Sequence, residues 1–118
     1  YKIAESENCF AFLDVSPLAK GHTLVVPKKE TDYIFDVSGE EYKSLWNFAK
    51  YVAQAIEAAI PCKRIGIAVI GLEVPHAHIH LIPMNRVRDM NFANPKLIIS
   101  DDEMLQIAER IREKIPRV

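Results

Sequence analysis

Pro75-His76-Ala77-His78-Ile79-His80-Leu81-Ile82-Pro83 carries three of the chain's four histidines. They alternate with Ala77, Ile79 and Leu81, the period of two that marks a β-strand with one polar and one buried face. On such a strand, alternate residues point the same way at a spacing of roughly 6 to 7 Å, so the three imidazoles form one row. Ala77, Ile79 and Leu81 are then expected to face a hydrophobic layer, and the histidines the open side of the sheet.

Working outward, Lys63 to Ile70 (KRIGIAVI) is rich in β-branched residues. It predicts a well-buried strand joined to the histidine strand by the short turn Gly71 to Pro75, hence an antiparallel neighbour. Upstream, Ser38 with Glu41 forms a capping-box pattern. Leu45, Phe48, Ala49, Val52, Ile56 and Ala59 then recur at helical spacing until Pro61, predicting a long helix over about 38–60. Ser100 and Glu103 repeat the pattern before Met104, Ile107, Ala108, Ile111 and Ile115, predicting a C-terminal helix over about 101–115. Towards the N-terminus, Tyr1 to Ser6 and Cys9 to Val15 read as a hairpin turning at Glu5 to Asn8, and His22 to Val26 as a further strand. Met84 to Ile99 has little periodicity and reads as a surface loop. The expected architecture is α+β, with about five mostly antiparallel strands, the long helix on one face and a second helix at the end.

A chain of 118 residues, 49% of them hydrophobic, is long enough for one globular domain with one core. Fifteen basic and 16 acidic residues give a net charge of -1. That balance indicates no general attraction to nucleic acid or to an anionic membrane, so an anionic ligand must be held by local groups. Cys9 and Cys62 stand far apart without cysteine neighbours, which excludes a zinc knuckle or a CxxC redox pair and leaves both as buried fillers. No apolar run reaches membrane-span length, and no secretory pattern opens the chain. The expectation is a cytoplasmic protein whose native start precedes Tyr1.

Three readings of the histidine row stand side by side. Single histidines are usually surface or satisfied core residues, although a row of three is hard to obtain from packing alone. As metal ligands, imidazoles suit zinc, copper or iron, with Glu73 as a fourth donor. Yet His76 and His80 would stand about 13 Å apart, and bonds of about 2 Å demand a bent strand to close that span. In phosphate chemistry, the middle imidazole attacks phosphorus and its neighbours donate hydrogen bonds to the phosphate oxygens. His78 is then the nucleophile, flanked by His76 and His80.

The stretch His76 to Ile82 resembles the histidine triad (HIT) motif, in which histidines alternate with apolar residues. A second block, Phe10-Ala11-Phe12-Leu13-Asp14-Val15-Ser16-Pro17 followed by Gly21 to Lys29, is similar to the family's strand-loop-strand. The resemblance implies one HIT domain over 1–118. It also implies a metal-independent, cofactor-free nucleotide phosphohydrolase or nucleotidyltransferase acting on the α-phosphate of a purine nucleotide ester, anhydride or phosphoramidate. On that resemblance His78 forms a nucleotidyl-histidine intermediate, with His76 and His80 orienting it and binding the phosphate. His22 is the additional histidine of the site, Asp14 accepts from the ribose hydroxyls, and Phe12 and Val15 line the purine pocket. A homodimer is implied, its two five-stranded sheets joined into one of ten strands, with the long helix near the contact; Trp46 on that helix reads equally as a contact residue or as ordinary packing. A family segment contributing to the base pocket would precede Tyr1.

The chain departs from the family where many of its hydrolases carry Gly-Gln-Ser/Thr and an upstream Asn. It has Gly71-Leu72-Glu73, and no Asn occurs between Pro61 and Met84. Leu72 cannot donate a hydrogen bond, and an ionised Glu73 repels a phosphate oxygen unless paired or turned away. A nucleotide-binding module with weak or no turnover is therefore the alternative to an enzyme, with a metal site on the row as a third possibility. Arg86, Arg88 and Lys20 read as solvated charges rather than phosphate ligands.

Overall fold

The computed structural model describes residues 1–116. Five strands, β1 (Lys2–Glu5), β2 (Cys9–Leu13), β3 (Thr23–Pro27), β4 (Arg64–Ala68) and β5 (Ile79–Met84), form one sheet. Their spatial order is β1-β2-β3-β5-β4, with every neighbouring pair antiparallel. Helix α1 (Gly39–Ala59) lies between β3 and β4 in the chain, and α2 (Asp101–Lys114) follows β5. Among the described residues no helix is long and apolar enough to cross a membrane.

One hydrophobic core joins the sheet to both helices. Ala11, Leu13, Val25, Ala77, Ile79 and Leu81 enter it from the sheet side, Leu45, Phe48, Val52 and Ile56 from α1, and Met104, Ile107 and Ile111 from α2. The apolar partners of the histidines thus face the helices, as their alternation predicts. Both helices begin where expected, with different caps. Ser100 Oγ accepts from the Glu103 amide, whereas Ser38 stands at the N-cap of α1 without a side-chain cap bond.

Three expectations need correction. The ladder of β5 begins at Ile79, so only His80 lies within it. Pairing stops there because β4 ends at Ala68 opposite His80, and the last β3 pair is Val25 with Ile79. The Ala77 amide turns instead to the Thr31 carbonyl. Next, β4 is not well buried: it occupies a sheet edge, and Ile67 on it is 53% exposed. β-branched composition reports strand propensity and not position in the sheet. Last, the segment after β5 is more than a surface loop. It contains a short 3-10 helix, Val87–Met90, that packs back onto the sheet. Gly66 of β4 makes room for it, since a Cβ there would lie 2.5 Å from the Met90 sulfur.

Candidate active site

Backbone carbonyls fix two of the three imidazoles of the row. His76 lies 2.7 Å through Nε2 from the carbonyl of Pro27, the last residue of β3, and His78 lies 2.8 Å through Nδ1 from the carbonyl of His76. A carbonyl only accepts, so His76 donates from Nε2 and His78 from Nδ1. Neutral His78 therefore carries its lone pair on Nε2.

The other two histidines form a chain of defined direction. The Leu18 amide donates to His22 Nδ1 at 3.0 Å, which places the His22 proton on Nε2. That N–H donates to His80 Nδ1 at 3.0 Å, so the remaining proton of His80 sits on Nε2. Both rings are buried, His22 to 2% and His80 to 8% exposure. Burial, reinforced by the positive charge of His22 and His78 when protonated, pushes His80 down to about 4. Burial also lowers His22, with the Asp14 carboxylate opposing and Lys96 assisting. Near pH 7 the pair is neutral, as its hydrogen-bond chain requires.

Asp14 completes this corner of the site. Its Oδ2 is 3.6 Å from His22 Nε2, and its Oδ1 accepts from the Ser16 amide at 2.8 Å. Asp14, His22 and His80 bring one donor atom each within 4.8 Å of one another, a different set from the row with Glu73. The hydrogen bonds decide what this set offers. With Nδ1 occupied by the Leu18 amide and the proton on Nε2, His22 presents no lone pair to a metal.

Two cavities meet at His78. The polar one, about 490 Å³, is lined by Asp14, Ser16, His22, His78, His80, Phe92 and Lys96, together with Ile70 to Val74. The apolar one, about 290 Å³, is lined by Phe12, Leu24, Val26, Val74, His76 and His78. Phe12 and Asp14 thus line different cavities on either side of one imidazole. Val15 is 75% exposed and lines neither. Leu72 and Glu73 are exposed and belong to the polar wall.

Sequence reasoning missed Phe92 and Lys96. Phe92 packs edge-on against His80 at 4.9 Å between centroids and lies 6.4 Å from His22. Lys96 is the cation lining the polar cavity, while Lys20 pairs with Glu103 and Arg86 with Asp89. An aromatic and a lysine four residues apart in an otherwise unpatterned segment gave the only signal.

An antiparallel five-stranded sheet with helices on one face and a carbonyl-anchored imidazole row at the edge of its opposite face defines a histidine triad protein. The HIT domain family matches residues 1–87, and the chain belongs to that family. It is 32% identical over 117 residues to the adenosine 5'-monophosphoramidase of Schizosaccharomyces pombe, covering 97% of this chain and 87% of that protein. To an uncharacterized HIT-like protein of Mycoplasma pneumoniae it is 35% identical over 88 residues, 70% of this chain and 61% of that protein's length. In structure it is similar to a hypothetical histidine triad nucleotide-binding protein of Sulfolobus tokodaii, with a TM-score of 0.82 and 26% identity over 98% of this chain and 83% of the other.

Proposed function

We propose that the chain is a nucleotide hydrolase or nucleotidyltransferase working through a covalent intermediate on His78. The observation that carries this reading is the bond from His78 Nδ1 to the His76 carbonyl just before β5, which leaves the Nε2 lone pair free on a residue that lines both cavities. In the first step Nε2 forms a bond to the α-phosphorus of the nucleotide. The bond from phosphorus to the leaving group breaks, and its electron pair departs with that group. The developing charge on the imidazole is shared through Nδ1–H with the His76 carbonyl. In the second step the oxygen of water attacks the same phosphorus, returns the electron pair to Nε2, gives its proton to solvent and releases the nucleotide.

The remaining side chains take supporting roles. His80, its Nδ1 occupied, donates from Nε2 to a phosphate oxygen. His22 acts through His80 as a positioning residue, and His76 anchors the row to β3. Phe12, Leu24 and Val26 supply an apolar floor for a purine, and Asp14 accepts from the ribose. α2 shares the core of the matched region, which supports one domain over 1–118. An unpaired β4 edge beside the Trp46 groove supports a homodimer.

Adenosine 5'-phosphoramidate as substrate tests the reading. AMP release should be lost in His78→Ala with the fold intact, should survive a chelator, and acid-labile adenylate should be trapped on the wild-type protein alone. Exposed Leu72 and Glu73 in the polar wall favour the second reading, a binding module. Stoichiometric nucleotide binding with no AMP released would establish that alternative.

A further inference from the structure

The wall of the polar cavity formed by Gly71 to Val74 offers a phosphate no donor side chain, because Leu72 is apolar and 88% exposed and Glu73 is acidic. Phe92 and Lys96 line the same cavity from the segment after β5, beyond residues 1–87 that match the family. Lys96 Nζ donates to the Phe92 carbonyl at 2.6 Å and the Asn94 carbonyl at 3.4 Å, and lies 5.9 Å from the centroid of the Phe92 ring. Phe92 in turn rests against His80 and His22. The loop's own carbonyls thus hold the ammonium of a lysine that lines the same cavity as His78 and His80. An ammonium has three donors, of which the two carbonyls use two. Lys96 makes no ion pair among the described residues, and its charge helps to lower both buried imidazoles.

We propose that Lys96 is a specificity-determining residue whose ammonium binds a phosphate of the leaving group, so that the site favours nucleotidyl substrates with an anionic leaving group over those that release an amine. The inference rests on the reading of His78 as nucleophile. When a phosphoanhydride is cleaved, the bridging oxygen leaves with the electron pair and negative charge grows beside Lys96. When a phosphoramidate is cleaved, the nitrogen departs as a neutral amine after taking a proton from water. Lys96 gains no partner in that case. Glu73, which lines the same cavity, carries the opposite sign and repels the anionic group that Lys96 attracts.

The test compares diadenosine tetraphosphate with adenosine 5'-phosphoramidate in wild type, Lys96→Met and Lys96→Arg. Lys96→Met keeps the methylene stem and removes the charge. Its kcat/KM should fall about tenfold on the tetraphosphate and stay within about twofold on the phosphoramidate, with Lys96→Arg recovering most of the loss. Calorimetry should show Lys96→Met weakening ADP relative to AMP by a similar factor. Equal losses on both substrates, or no loss on either, would overturn the inference while leaving the hydrolase reading in place. If the wild type cleaves neither substrate and Lys96→Met still weakens ADP selectively, the hydrolase reading fails and Lys96 remains the anion contact.

Discussion

His80 is where a single residue shows most directly what the fold does to chemistry. In water an imidazole titrates near 6.5, whereas here burial and the neighbouring imidazoles hold it at about 4. Between those values the unfolded chain binds a proton that the folded chain refuses. Stability is therefore fully present above pH 6.5 and falls as the pH drops towards 4. For a ring only 8% exposed the whole gap is worth about 3 kcal/mol. Melting temperatures of wild type should decline steeply from pH 7 to 4.5, and those of His80→Gln less so, with a residual slope from His22. Parallel curves for the two proteins would mean that His80 is not held neutral. The alternation of His76, Ala77, His78, Ile79 and His80 made the faces legible. The direction of the hydrogen bonds was not, because it depends on the Leu18 amide and the Pro27 carbonyl, which reach the imidazoles only through tertiary structure.

At the scale of elements, β4, β5 and the segment behind them form a stack whose order depends on Gly66. A methyl group there would meet the Met90 and Met84 sulfurs and the Met90 terminal methyl at 2.5 to 2.9 Å. These are flexible tips that can swing aside, and alanine suits a strand better than glycine. Gly66→Ala is expected to leave stability within about 1 kcal/mol of wild type in urea titrations. Gly66→Val should cost about 1 to 3 kcal/mol, because a branched side chain overpacks the space under the Val87–Met90 helix. If Phe92 is held in place by that helix, Gly66→Val should also broaden the His80 and His22 ring signals in NMR spectra, and unchanged signals would uncouple the stack from the site. Strands and helices were legible in the sequence because period two and period 3.6 are written into the residues that face the core. The path of residues 85–99 was not, since it follows from where Met90 and Phe92 of that segment meet Gly66, His22 and His80 in the folded chain.

For the whole molecule the unfinished feature is the outer edge of β4. That strand has one neighbour, β5, and Ile67 remains 53% exposed on the helix-facing side. Beside it, Trp46, Ala49 and Ala53 of α1 and Ile65 of β4 line a groove of about 620 Å³. Within it the Trp46 indole N–H is buried and lacks a hydrogen-bond partner among the described residues. An open strand edge and an unpaired buried donor are both costs that a second chain could relieve. A twofold pairing of β4 with its copy about Gly66 would place Arg64 opposite Ala68 of the other strand, so that like charges do not meet, and would give ten continuous strands. Ile67→Glu puts a carboxylate into that seam while changing a side chain that the single chain leaves half open. Wild type should sediment as a dimer at tens of micromolar, and Ile67→Glu as a monomer with unchanged far-ultraviolet circular dichroism and red-shifted Trp46 emission. A wild type that stays monomeric at that concentration, or an Ile67→Glu protein that stays dimeric, would place any self-association away from β4.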